Sequence, residues 1–468
     1  MSGSGRGGNL VALGLVQAFR MGASTVVNVI IMRALGVEGF GVYGYVSVLV
    51  SLASFAATMG MDRLLKREIA RDPAAGEAML STASAAVGGL SVSTTVVVLA
   101  WAQWVDGRET VVVSAGLAGL AAGLQAVATV PTSYFHAIRQ MGHGVLPSFA
   151  GRLVFVGATA AFLLGGLDVR GVFAAAVLDG ATTLLGAWWA YRRLGQRWLG
   201  TSVWRVRALL RQSVSFGLNG LFGNIYLNGD VLLLAWLRGE GEVGLYRAAV
   251  MFIALFPIVA DTFTTGLYPR MARHLGQPGA AAEELRFAAR VLIAVSLPAA
   301  VGGALTARPL MVFVGGASFA AAAPLFMVMA PLLPLRFLNN ALAMTLSALD
   351  RQDDRTRGVF FAACFNIGVN LLVIPRHGAL GTAATTLLTE VLLYLWFAWR
   401  TAPLVGAYGL GETLGRVGVA ALGMGVSLWL LPTLHVVFTI TLGGLIYLGL
   451  ALLTGAVHRG DLSRLRRV

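Results

Sequence analysis

Apolar residues follow one another in long blocks, separated by short clusters of charge, glycine and proline. A hydrocarbon core of about 30 Å needs roughly 20 apolar residues per helix. Blocks of that length fall at residues 9–34, 40–60, 80–104, 111–135, 145–167, 171–191, 212–237, 243–267, 287–307, 319–347, 358–374, 378–399, 413–431 and 434–456. They predict an all-α polytopic membrane protein with fourteen transmembrane helices. Arg20 interrupts the first block, and Pro324, Pro331, Pro334 and Arg336 interrupt the tenth.

Charge supplies the orientation. In short loops, Lys and Arg collect on the cytoplasmic side. With both termini inside, 25 of the 35 basic residues lie in inner segments, 7 in outer loops, and Arg20, Arg152 and Arg336 within spans. The inner clusters are Arg63 to Arg71, Arg192 to Arg211, Arg270 to Arg290, Arg351 to Arg357, and the basic tail from Arg459. Outer loops are short, which argues against an enzyme with a catalytic domain on the outer face.

Composition narrows the classes further. The 468 residues are 57% hydrophobic and 12% charged, with a mean hydropathy of +0.77, whereas a soluble chain carries about 25% charged residues. Disorder is excluded by the same numbers. The net charge of +14 does not indicate nucleic acid, because no polar stretch is long enough to form a basic face. The single cysteine, Cys364, has no partner for a disulfide or thiolate metal site and reads as a small apolar packing residue. No cleavable signal peptide is evident before the first block. The glycines at positions 3, 5, 7 and 8 follow no strand and do not form a phosphate loop, and the chain has no ATP-binding loop.

The chain also repeats itself. Gly41-Val42-Tyr43 opens the second block and Gly244-Leu245-Tyr246 the eighth, 203 residues apart; Trp189-Ala190-Tyr191-Arg192 ends the sixth and Phe397-Ala398-Trp399-Arg400 the twelfth, 208 apart. The offsets imply a six-helix lobe over 1–192, a basic linker over 193–211, a second six-helix lobe over 212–400, and two further helices with a basic tail over 401–468. An even-numbered repeat keeps its direction across the membrane. The lobes are therefore related by a pseudo-twofold axis along the membrane normal, with a hydrated site expected between them.

Polar side chains within the blocks mark where that site could lie, since a charge at bilayer depth costs about 2.5–3.5 kcal/mol on insertion scales. Arg20 and Arg336 sit far from either end of their blocks and are candidates to line the substrate path. Arg152 either joins them or snorkels to the inner headgroups. Asp179 and Glu390 occupy corresponding regions of the two lobes, where they either hold helices together or take part in transport. Asp230 and Arg247 lie near outer helix ends, solvated or paired, and Asp261 lies near the inner surface within reach of Arg270. Asparagines such as Asn224 and Asn340 serve as helix glue or as ligands. Pro131, Pro257, Pro298, Pro324, Pro331 and Pro334 each remove a backbone donor and can kink a helix.

Three segments carry a resemblance. Leu35-Gly36-Val37-Glu38-Gly39-Phe40-Gly41-Val42-Tyr43 resembles the signature after the first span of Wzx-type polysaccharide flippases. Phe216-Gly217, then Asp230-Val231-Leu232-Leu233 and Gly244-Leu245-Tyr246, resembles the start of their second lobe, and Ile374-Pro375-Arg376-His377-Gly378-Ala379-Leu380-Gly381-Thr382-Ala383 is similar to a later segment. The resemblance covers nearly the whole chain. It implies membership of the multidrug/oligosaccharidyl-lipid/polysaccharide exporter superfamily, a place in a bacterial cytoplasmic membrane, and alternating access between two lobes. It further implies movement of undecaprenyl-pyrophosphate-linked oligosaccharides from the inner to the outer leaflet, alongside polysaccharide polymerases and glycosyltransferases. Arg20 is similar in placement to an arginine of the peptidoglycan lipid flippases, but Met21 stands where their acidic residue follows.

On this reading Arg20, Arg336 and Arg152 donate to pyrophosphate oxygens, and Asn224 and Asn340 hydrogen-bond sugar. Asp179, Asp230, Asp261 and Glu390 are candidates for coupling to H+ or Na+, and no other cofactor is called for. The alternatives are a cation-coupled multidrug or metabolite exporter, which favours an acidic cavity, and a peptidoglycan lipid flippase. A membrane glycosyltransferase, polymerase or ligase is disfavoured by the short outer loops and the lack of a catalytic acid cluster.

Overall fold

A computed structural model of the protein describes the backbone of residues 4–72, 76–138, 140, 142–195, 203–406, 409–431 and 435–456; side chains 4–21, 77, 203–204, 215–222 and 257–258 lie outside the description. The described residues form helices and no strands. In chain order these are α1 (Ser4–Thr58), α2 (Met61–Arg71), α3 (Gly76–Val105), α4 (Glu109–Ala137), α5 (Gly142–Leu164), α6 (Val169–Arg193), α7 (Val203–Arg238), α8 (Glu240–Ile253), α9 (Pro257–Ala272) and α10 (Pro278–Leu305). There follow α11 (Ala307–Gly315), a 3-10 turn (Ala317–Ala322), α12 (Ala323–Met329), α13 (Leu332–Ala348), α14 (Gln352–Val405), α15 (Gly411–Leu430) and α16 (Val436–Leu453). Among the described residues nine helices are long and apolar enough to cross a bilayer, or ten when the pair Ala317–Met329 and Leu332–Ala348, bent by 44°, counts as one span.

Glycines divide the longest helices. α1 breaks at Gly36 (φ 66°, ψ −166°) and α14 at Gly378 (φ 52°, ψ −139°), so each long helix holds two of the predicted spans. Gly239, between α7 and α8, has φ 84° and ψ 179°. Only glycine occupies this part of backbone space without strain. Gly36 and Gly239 are 203 residues apart, the offset of the Gly-x-Tyr pair, so the repeat extends to backbone conformation. The eighth predicted block is split between α8 and α9, because the helix restarts at Pro257, which has no N–H to donate to the preceding turn.

The chain forms two compact units, Met1–Trp236 and Leu237–Val468. In the first, Val46 of α1, Ala102 of α3, Ala115 of α4 and Phe173 of α6 belong to one apolar cluster. A second is built on α2, whose Met61, Leu64, Leu65 and Ile69 recur at helical spacing and pack with Val130, Phe135 and Tyr191. Burying each such side chain contributes roughly 1.5–3 kcal/mol. The basic run from Arg63 to Arg71 is therefore the outer face of an amphipathic helix. In the second unit Ile293 of α10, Ala420 of α15 and Ala451 of α16 share a core.

Candidate functional site

In the first unit, Arg152 on α5 meets Asp179 on α6. The guanidinium Nη1 lies 3.6 Å from Asp179 Oδ2, Thr183 Oγ1 donates to Oδ1 at 3.3 Å, and Arg152 also lies over the Phe155 ring, 5.2 Å from its centroid. Gly151 lets the helices approach: a β-carbon there would collide with Thr183 and Asp179. Asp179 is buried, and Arg152 is partly exposed. Removing one partner of a buried pair costs about 3–5 kcal/mol, because the other charge is left uncompensated.

The second unit holds a corresponding arrangement on other helices. Arg336 Nε, on α13, donates to Glu390 Oε1 on α14 at 2.9 Å. Asn339 Nδ2 donates to Glu390 Oε2 at 2.8 Å and to its carbonyl at 3.1 Å. One residue on, Asn340 Nδ2 donates to Asp261 Oδ1 on α9, and Thr264 Oγ1 donates to Asn340 Oδ1 at 2.7 Å. Asn370 Nδ2 donates to Asn366 Oδ1 at 3.0 Å, and Asn366 Nδ2 to Thr389 Oγ1 at 3.1 Å, beside Glu390. Both asparagines are buried.

The structure revises several expectations. Arg336 is not in the middle of a continuous span: Pro331 sits at the N-terminal boundary of α13, and Arg336 lies in its first turns. Asp261 does not pair with Arg270, whose Nη2 lies 2.6 Å from Glu284 Oε1. Asp230 is buried rather than solvated and accepts the N–H of Val231 at 2.8 Å. Arg247 lies two turns into α8, half-buried, with no ion-pair partner among the described residues. Cys364 is exposed, because the buried stripe of this arm runs through Ala362, Asn366 and Asn370. Asn224 Nδ2 donates to Ser51 Oγ at 2.9 Å and its Oδ1 accepts from Asn228 at 3.2 Å, tying α7 to α1. Arg20 lies on α1, and its side chain is outside the described residues.

Sequence reasoning did not find a cavity of about 690 Å³ in the second unit, lined by Phe252, Pro298, Phe326, Met424, Leu428 and Tyr447, with Arg290 in its wall. The Tyr447 hydroxyl donates to the Ala294 carbonyl at 2.7 Å, so little of the lining is left to bond a polar ligand. Such a surface suits a hydrocarbon chain.

Together, the helical frame, the glycine breaks and the charges paired within each unit define a polytopic membrane protein of the transporter type. Residues 7–275, more than half the chain, match the family described as polysaccharide biosynthesis protein, and the chain belongs to that family. A second family model, MatE, matches residues 217–372. The probable low-salt glycan biosynthesis flippase Agl15 of Haloferax volcanii is 20% identical over 359 residues, 76% of this chain and 75% of that protein. Among solved structures, the lipid II flippase MurJ in an inward closed conformation matches with a TM-score of 0.78 at 12% identity, over 94% of this chain and 98% of that one. An inward-facing multidrug resistance MATE family transporter of the MOP superfamily matches with a TM-score of 0.65 at 13% identity, over 82% and 95%. At these identities the likeness shows the fold, which is MurJ- and MATE-like.

Proposed function

We propose that this protein is a flippase that carries a lipid-linked oligosaccharide of the undecaprenyl-pyrophosphate type from the inner to the outer leaflet for cell-surface polysaccharide synthesis. Membership of the polysaccharide biosynthesis family supports this reading, as do the glycan and lipid II flippases among its relatives. The observation that carries it is electrostatic. Asp179 and Glu390, the buried acids that a cationic drug would seek, are already bound to Arg152 and Arg336, while Arg247 has no acidic partner among the described residues.

A sugar headgroup with about two negative charges cannot cross hydrocarbon unaided. In this mechanism the diphosphate competes with Glu390 for the Arg336 guanidinium in the second unit and, in a separate exchange within the first unit, with Asp179 for that of Arg152; arginine offers bidentate geometry. Arg20 and Arg247 add charge, and Asn224 and Asn340 exchange their present partners for sugar hydroxyls. The released carboxylates, with Asp230 and Asp261, take up H+ or Na+, which couples the ion to the substrate. The carrier's apolar tail occupies the cavity beside Pro298 and Tyr447. Moving two negative charges outward is favoured by about 4–5 kcal/mol per 100 mV of inside-negative potential, and the cycle makes or breaks no covalent bond. The protein works in the cytoplasmic membrane with both termini inside, next to the glycosyltransferases that build the substrate and the polymerase that uses it.

Reconstitution in vesicles tests the reading. A labelled undecaprenyl-pyrophosphate oligosaccharide should change leaflets in a protein-dependent way, faster with the outward-driving potential. Efflux of a cationic dye without oligosaccharide movement would reject it in favour of a drug exporter, and movement of lipid II alone would assign the peptidoglycan branch.

A further inference from the structure

The two arms of α14 line a groove of about 430 Å³ with Phe361, Phe365, Leu392, Trp396 and Trp399. Phe361 and Trp399 are 55% and 61% exposed. Both arms are predicted spans, so this face meets lipid. The two arms are tied together beside the groove: the Trp396 indole donates to the Asp354 carbonyl at 2.9 Å, and the Phe361 and Trp396 rings pack with centroids 5.5 Å apart.

The end of the groove nearest Asp354 is basic. Arg351 and Arg400 meet at Asp354, and Arg355 and Arg357 follow on the first turns of α14. The Asp354 carboxylate is shared between Arg351, whose Nε donates at 2.7 Å, and Arg400. Arg400 also lies over the Trp399 ring, 5.1 Å from its centroid, and its buried Nε has no hydrogen-bond partner. Arg357 is exposed and precedes Phe361 by one helical turn on the same face. It has no ion-pair partner among the described residues, although Asp353 lies one turn before it.

We propose that this groove binds one anionic phospholipid, with an acyl chain between the Phe361 and Trp399 rings and its phosphate at Arg357. A zwitterionic lipid would satisfy the apolar walls but would gain less from the arginine cluster, because basic residues at a membrane surface favour anionic headgroups. The cavity beside Pro298 and Tyr447 lies on other helices, so the proposal does not depend on the flippase reading.

The test uses the full chain, delipidated in detergent and offered phosphatidylglycerol or phosphatidylcholine with identical acyl chains. Native mass spectrometry counts the retained lipid. The wild type should retain one phosphatidylglycerol about fivefold more tightly than phosphatidylcholine. Arg357→Gln should bring the two lipids to parity, and Leu392→Trp, which fills the groove, should lose both. Equal retention of the two lipids by the wild type would overturn the proposal, as would a phosphatidylglycerol preference unchanged in Arg357→Gln. Displacement by undecaprenyl phosphate as readily as by phosphatidylglycerol would assign the groove to the carrier lipid instead. A dimer that Leu392→Trp abolishes would assign it to a second copy of the chain. Arg357 lies on an exposed helix surface, so its variant remains decisive if Leu392→Trp does not fold.

Discussion

The carboxylate of Glu242, at the start of α8, accepts the backbone N–H of Ala379 at the break in α14, and it occupies the space that a β-carbon on Gly378 would need. Arg238 Nη2 holds the same carboxylate at 3.1 Å, and one turn along the Tyr246 and Thr386 hydroxyls are 3.3 Å apart. Two segments that carry the family resemblance, Gly244-Leu245-Tyr246 and Ile374 to Ala383, therefore belong to helices joined to one another. Glycine is required at 378 both for its positive φ and for the cap. Gly378→Ala should lower stability by about 1–3 kcal/mol from backbone strain, with an added loss from the displaced carboxylate. Glu242→Gln should cost less, about 0.5–1.5 kcal/mol. Thermal unfolding of the two variants in detergent measures the difference, and a Gly378→Ala protein as stable as wild type would show that the cap is unimportant.

The Arg152–Asp179 pair predicts strong coupling. Arg152→Met should destabilise by about 3–5 kcal/mol, because Asp179 is left buried without its counter-ion. The double variant Arg152→Met, Asp179→Leu should recover most of that loss, since no charge remains to be desolvated. A double-mutant cycle on unfolding midpoints checks this. Additive losses would mean that the 3.6 Å contact carries no energy of its own.

Outside the spans, Asp354 sets a pH dependence. Burial alone would raise its pKa, but hydrogen bonds from Arg400 and Arg351 outweigh burial and hold it below its ordinary value. A depressed folded-state pKa contributes stability that is present above the unfolded value, about 3.9, and is lost as pH falls through the folded-state value. Wild type should therefore lose stability below about pH 4. Asp354→Asn should be less stable at pH 7 by about 1.5–3 kcal/mol and should show a smaller acid-induced decline. Unfolding midpoints at pH 7 and pH 3.5 separate the two proteins.

Much of the frame was legible because a spanning helix depends on the length of an apolar run, which can be counted along the chain. The repeat was legible at Gly41 and Gly244 for the same reason, and the structure extends it to Gly36 and Gly239. The apolar spacing of Met61, Leu64, Leu65 and Ile69 could have distinguished α2 from a basic loop. Which charges meet was not legible. Arg336 and Glu390 are 54 residues apart, and sequence shows that each needs shelter without showing which helix faces adjoin. Arg336 is central to the 319–347 block in sequence, and nothing in the block shows that Pro331 is a helix boundary and not a kink. The apolar cavity left no signal, since its lining comes from several helices whose residues look like ordinary lipid-facing or core positions.

The central claim is that Arg336 can exchange Glu390 for a diphosphate. The most direct measurement is the translocation rate of a labelled undecaprenyl-pyrophosphate oligosaccharide in vesicles at fixed potential, comparing wild type, Arg336→Gln and Glu390→Gln at equal amounts of folded protein. Loss of one charge-assisted contact of about 1.5–3 kcal/mol should slow Arg336→Gln by roughly tenfold or more, and Glu390→Gln should move the substrate while losing its dependence on an H+ or Na+ gradient. Translocation by Arg336→Gln at the wild-type rate would contradict the account.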